Sequence, residues 1–145
     1  MKVLGAPLST PVNQTVNMKV KIDTKEKFYV VTLMEAILTD NIAADLSQLV
    51  TKFLQQQISS LVLKLGDVES IEEKAAEDLA QLQQQFYENN ASFVICEVQP
   101  SVEEKLEAME LLEVMNITLS ESEAWDIVQM EEIERELLDD EDESK

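Results

Sequence analysis

Apolar and polar residues alternate from Met18 to Asp23, the period of a half-buried strand. Lys25 to Lys27 form a polar turn, and the β-branched and aromatic run Phe28 to Leu33 predicts a second strand. Two such runs around a short turn are expected to pair as an antiparallel hairpin. The period then changes. Ile42, Leu46, Leu49, Val50, Phe53 and Leu54 recur at helical spacing, while Asp45, Lys52 and Gln56 fall on the other face. Thr39 or Asp40 is the expected cap of this helix, which is expected to end near Gln57.

Leu61 to Leu65 is a short, almost wholly apolar run, as expected of a central parallel strand. Ser70 stands three residues before Glu73 and predicts a capping box. The helix it opens carries Ala75, Leu79, Leu82 and Phe86 on one face, and Asn89 with Asn90 suits a left-handed stop. Ala91 to Val98 reads as a further buried strand broken by Pro100. Ser101 with Glu104, and Ser120 with Glu123, predict two more capping boxes. The first of these opens a short helix with Val102, Leu106 and Met109 inward. A brief strand, Asn116 to Leu119, lies between them. The last helix carries Ala124, Trp125, Ile127 and Val128, then Ile133, Leu137 and Leu138.

A hairpin followed by alternating strands and helices predicts an α/β fold. The expected sheet is mixed and mostly parallel, with four to five strands and helices largely on one side. Right-handed crossovers restrict its topology. Residues 17–138 form the expected domain. Residues 1–16, with Gly5, Pro7 and Pro11, read as a flexible arm. Residues 139–145 include the acidic block Asp139 to Glu143 and read as a disordered tail.

Charge narrows the function. The 145 residues include 30 acidic and 11 basic ones, a net charge of −19. Phosphate contacts need Lys and Arg, so nucleic acid is not an expected partner. Membrane insertion is not expected either, because no apolar run approaches the roughly 20 residues that span a bilayer. With no secretory leader pattern, a cytoplasmic location is expected. The chain has no histidine, which removes the commonest general base and the Ser-His and Cys-His pairs. Gly5 and Gly66 are its only glycines, too few for a phosphate-cradling loop. An enzyme is therefore not expected, and neither a cofactor nor a metal site is expected. Cys96 has no disulfide partner and sits in an apolar run, the setting of an inert buried thiol.

Three segments together resemble the STAS domain, the fold of bacterial anti-sigma factor antagonists. They are Phe28 to Leu33 with the following helix start Asp40 to Leu46, the strand Ser60 to Val68, and Phe93 to Ser101 followed by Leu111 to Ile117. The resemblance spans roughly residues 17–130. In that family the residues after the strand typically read Asp-Ser-Ser-Gly or Asp-Ser-Thr-Gly, and a partner kinase phosphorylates the second hydroxyl. Carried over, the Asp falls on Glu72, the first Ser on Glu73, the phosphoacceptor on Lys74 and the Gly on Ala75. Lys74 cannot accept a phosphoryl group as a hydroxyl does, so the resemblance implies a degenerate phosphosite.

It further implies a non-enzymatic regulatory domain that binds an anti-sigma factor, a switch kinase or another signalling protein. The expected contact edge comprises Asp40, Asn41, Asp67, Glu69, Ser70, Glu72, Glu73 and Lys74. Glu72 and Glu73 read either as helix-dipole partners or as a fixed-charge binding edge. Ser70 reads either as a helix cap or as a relocated phosphosite. Trp125 reads either as core or as the anchor of a subunit contact in a homodimer. Two alternatives stand beside the regulatory domain: a structural STAS subunit of a larger signalling or transport assembly, and a small-molecule or nucleotide binder.

Overall fold

The computed structural model describes residues 18–55 and 60–143. The expected N-terminal arm and Gln57 lie outside the described residues. The predicted elements appear in the predicted order, with two short strands added that the pattern did not predict. β1 (Val20–Thr24) pairs antiparallel with β2 (Tyr29–Leu33), with Ile22 opposite Val31. A two-residue strand, β3 (Ile37–Leu38), precedes α1 (Asp40–Thr51), which continues as a 3-10 turn over Lys52–Gln55. Then come β4 (Leu61–Lys64), the two-residue β5 (Ser70–Ile71) and α2 (Glu73–Glu88). β6 (Phe93–Cys96), α3 (Pro100–Ala108), β7 (Ile117–Thr118) and α4 (Glu121–Glu143) complete the chain.

The main sheet has the order β1-β2-β4-β6-β7, parallel except at β1. Its two faces are built by the alternation of side chains along each strand. Val31, Leu33, Leu61, Leu63, Leu65, Phe93 and Ile95 face a large core closed by α1, α2 and α3. Leu46, Leu79, Phe86, Val102 and Leu106 fill it from the helices, all fully buried. Val30, Val62, Val94 and Cys96 point to the opposite face, where Phe28 and α4, through Ala124 and Val128, cover them. Both faces of β4 and β6 are thus largely dry, which is why these strands read as apolar runs, broken only by Lys64 at the end of β4.

Polar ties hold α4 in place. Ser92 is buried, and its hydroxyl donates to Glu131 Oε1 at 2.6 Å and accepts from Arg135 Nη1 at 3.3 Å. Asn116 donates to the other Glu131 oxygen at 3.0 Å. At the helix start, Glu123 N–H donates to Ser120 Oγ at 3.2 Å, so the predicted Ser120 cap forms, while Glu123 Oε1 reaches one residue past the cap to accept Leu119 N–H at 3.0 Å. Asn90 ends α2 with φ 60°, the left-handed stop expected of it.

Several expectations need correction. Ser70 does not cap α2, because it is a rung of β5, paired with Ile37, and the N-cap is Glu72. Ser101 does not cap α3 either. Pro100 supplies the first helical position with its preset φ, which moves the cap back to Gln99. Ser101 Oγ instead donates to Glu69 O at 2.6 Å. Trp125 is not core. It is 43% exposed and lines an open groove of ≈ 510 Å³ with Phe28, Lys25 and Lys27. Apart from these corrections, α4 has the bounds Glu121–Glu143.

Candidate functional site

The loop Leu65 to Glu69 leaves the C-terminal end of β4, a position where open α/β sheets commonly present binding groups. Backbone bonds fix its course. Glu69 N–H and Ser70 N–H both donate to Ala36 O, at 2.7 and 3.2 Å, and Glu72 N–H donates to Leu38 O at 3.0 Å. This β3–β5 ladder fastens the start of α1 beside the start of α2.

Two helix N-termini side by side bring two sets of orphan N–H groups and two positive dipole ends together. Carboxylates answer both. Thr39 Oγ1 accepts Ile42 N–H at 3.2 Å within α1. Across the junction, Glu72 Oε1 accepts Asp40 N–H at 2.8 Å, and Asp40 Oδ1 accepts Ala75 N–H at 3.1 Å. Each helix start is therefore capped by a carboxylate from the other. Ala75 is fully buried beneath this pair.

Every residue of the expected edge lies on this junction or its loop. Asn41, Asp67, Glu69, Ser70, Glu72, Glu73 and Lys74 are exposed, and Asp40 is half-buried. The Glu73 side chain is 76% exposed and lies 3.9 Å from Lys105 of α3. The Lys74 side chain is 68% exposed and lies 3.7 Å from Asp78, one turn on. Both are loose surface pairs of small energetic weight. Asp40 and Glu72 differ from the rest, because their carboxylates are engaged with backbone N–H groups. The outward-facing charge falls to Asp67, Glu69 and Glu73.

The sequence reading missed a second cluster, on the α4 side of the sheet. Lys64 Nζ lies 3.2 Å from Glu121 and 3.6 Å from Glu97. The hydrogen bond to Glu121 raises the Lys64 pKa above the usual lysine value; burial opposes this, and the charge of Glu97 adds to it. Glu97 adopts φ 61°, uncommon for a residue with a side chain. Gly66 lies against Glu97, where an added Cβ would come within 3.0 Å of the mobile Oε1 and make only ordinary contact with the backbone. The available signal was Lys64 itself, the one charge in an otherwise apolar central strand. Below it, burial pushes the Cys96 thiol up to about 12, with the charge of Glu97 adding to the shift. That keeps it protonated and unreactive, as its apolar run predicted. Among the described residues, no three Cys, Asp or Glu side chains converge as metal ligands. No helix among them is long and apolar enough to cross a membrane.

A five-stranded sheet with this order, and a loop–helix junction at the end of its second parallel strand, define a class of domain. The chain belongs to the STAS domain family, whose model matches residues 19–124. It resembles a candidate anti-sigma factor antagonist from Thermotoga maritima at 23% identity, with 76% of this chain and 94% of that one covered and a TM-score of 0.65. An anti-sigma factor antagonist from Mycobacterium paratuberculosis is similar at 16% identity, covering 84% and 99%, with a TM-score of 0.67. The murine anion transporter Slc26a9 is similar at 14% identity, over 82% of this chain and 23% of that one, with a TM-score of 0.64. At these identities the likeness establishes the fold alone. No curated protein matches the chain in sequence.

Proposed function

We propose that this chain is a non-enzymatic regulatory STAS domain that binds a protein partner of the anti-sigma factor or switch-kinase type. The contact edge is Asp40, Asn41, Asp67, Glu69, Ser70, Glu72, Glu73 and Lys74. The observation that carries this reading is the mutual capping of Asp40 and Glu72, which holds an exposed acidic rim in one fixed geometry. A rigid rim offers preorganised charge to a basic partner, favouring on-rate and register. The names of the Thermotoga and Mycobacterium structures support the same class. Lys74 occupies the place of the phosphoacceptor, so the rim works without that covalent switch. The interaction takes place in the cytoplasm.

Affinity purification with mass spectrometry identifies the partner, and titration against Glu69→Lys with Glu73→Lys then tests the edge. Neither side chain caps a helix, so the fold is retained. The expected result is a loss of affinity of about tenfold or more. Unchanged affinity with an intact fold overturns the assignment.

A second reading is a STAS domain serving within a larger assembly. The likeness to a 23% share of the murine anion transporter favours it. In that case the chain co-purifies in stable stoichiometry with a membrane or multi-subunit complex.

A further inference from the structure

The face of α4 turned away from the sheet carries apolar residues that stay exposed among the described residues. Met130 is 60% exposed, Ile133 55% and Leu137 58%. Their spacing of three and four residues places all three on one stripe of the helix. This stripe lies opposite Ala124 and Val128, which bury against the sheet.

Its surroundings are acidic. Asp126, Glu134 and Glu136 are exposed beside it. The segment Glu121–Glu143 holds twelve acidic residues and a single cation, Arg135. Arg135 is turned inward to Ser92, and Lys27, the other cation at this helix among the described residues, is paired with Glu132 at 3.3 Å. Glu132 is compensated by Lys27, whereas Glu134 and Glu136 are exposed. Acidic residues in the last turns oppose the helix dipole.

Charge decides what can cover such a stripe. A second copy would set Asp126, Glu134 and Glu136 against the same acids, and the neighbouring cation Lys27 is already engaged by Glu132. A helix with apolar residues at matching spacing and Lys or Arg along its flanks answers both the stripe and its borders. We infer that the outward face of α4 is a docking surface for a basic amphipathic helix of a partner protein, separate from the rim at Asp40 and Glu72. The apolar residues supply the anchoring contacts, and the acidic borders supply steering and orientation.

The probe is a synthetic amphipathic peptide of Leu and Lys, titrated into the intact protein by calorimetry and by backbone amide NMR. A peptide with Glu in place of Lys is the control. Saturable binding is expected for the Lys peptide, with shifts centred on residues 126–137, and none for the Glu peptide. The decisive variant is Ile133→Glu with Leu137→Glu. It makes the surface more acidic, so attraction by charge alone predicts tighter binding. The inference predicts binding weaker by about tenfold or more. Both positions are exposed, and circular dichroism verifies the fold. Equal or tighter binding by the variant overturns the inference. So does a dimer of the unaltered chain, seen by light scattering, that the same variant dissolves, since that assigns the face to a second copy. Glu69→Lys with Glu73→Lys is expected to leave peptide binding unchanged, which separates this surface from the rim.

Discussion

Asp40 and Glu72 cap each other's helices. The Glu72 carboxylate accepts the Asp40 N–H at 2.8 Å, and the Asp40 carboxylate accepts the N–H of Ala75, in the first turn that follows Glu72, at 3.1 Å. The two residues are thirty-two positions apart, yet they do what a capping box does within one helix. Removing either carboxylate is expected to cost about 1 kcal/mol. Asp40→Ala and Glu72→Ala, followed by urea denaturation, test this. The double variant is expected to lose less than the sum of the two single losses, because both act at one junction. Strict additivity would show that the two caps work independently.

Asn90 ends α2 at φ 60°. Asn90→Ala is expected to destabilise the domain by about 1 kcal/mol, since a Cβ without a local hydrogen-bonding group is disfavoured there. Asn90→Gly is expected to stay within about 0.5 kcal/mol of the parent, because glycine adopts this conformation freely. Thermal melting of the two variants gives the comparison.

Cys96 is fully buried and its thiol is pushed up to about 12 from 9.0. The folded state therefore keeps this proton at pH values where the unfolded state has released it. Stability from this group is complete below pH 9.0 and declines as pH rises toward about 12. Thiol reagents at neutral pH are expected to label the denatured chain but not the native one. Cys96→Ala is expected to reduce the alkaline decline in stability. An equal decline in parent and variant would assign it to other groups.

Like charges crowd the C-terminal half of α4, and salt screens them. Helical content in this segment is expected to rise with ionic strength, while the amides of β4 and β6 stay unchanged. Residue-resolved hydrogen exchange at low and high salt reads both. A uniform response along the chain would remove the link to local repulsion.

Much of the fold follows from short-range patterns. The hairpin, the apolar runs of β4 and β6, the stripe of α2, and the Ser120 cap all express periods or pairings within a few residues. The candidate edge was legible as a location, since Asp40 and Glu72 each stand at a helix start. Their mutual bond was not, because nothing local marks a partner thirty-two residues away. The β3–β5 ladder is two residues long, too short for any period to show. Ser70 and Ser101 carried genuine capping signals that tertiary context outweighed. A ladder claimed one, and Pro100 displaced the other. Trp125 was ambiguous because an apolar residue on a helix reads the same over a core as beside a groove.

Among the described residues, α4 and Phe28 cover the centre of one side of the sheet, along a narrow seam centred on Ala124 and Val128. Release of the helix would bare Val62 and Val94 in the two central strands, the kind of surface through which chains aggregate. Selection on this helix is therefore double-edged. A substitution that loosens its inner edge threatens solubility, and one that alters its outer edge changes what it can hold. The same peptide that occupies the outside would also slow the helix from peeling away, so occupancy and lifetime of the domain rise together.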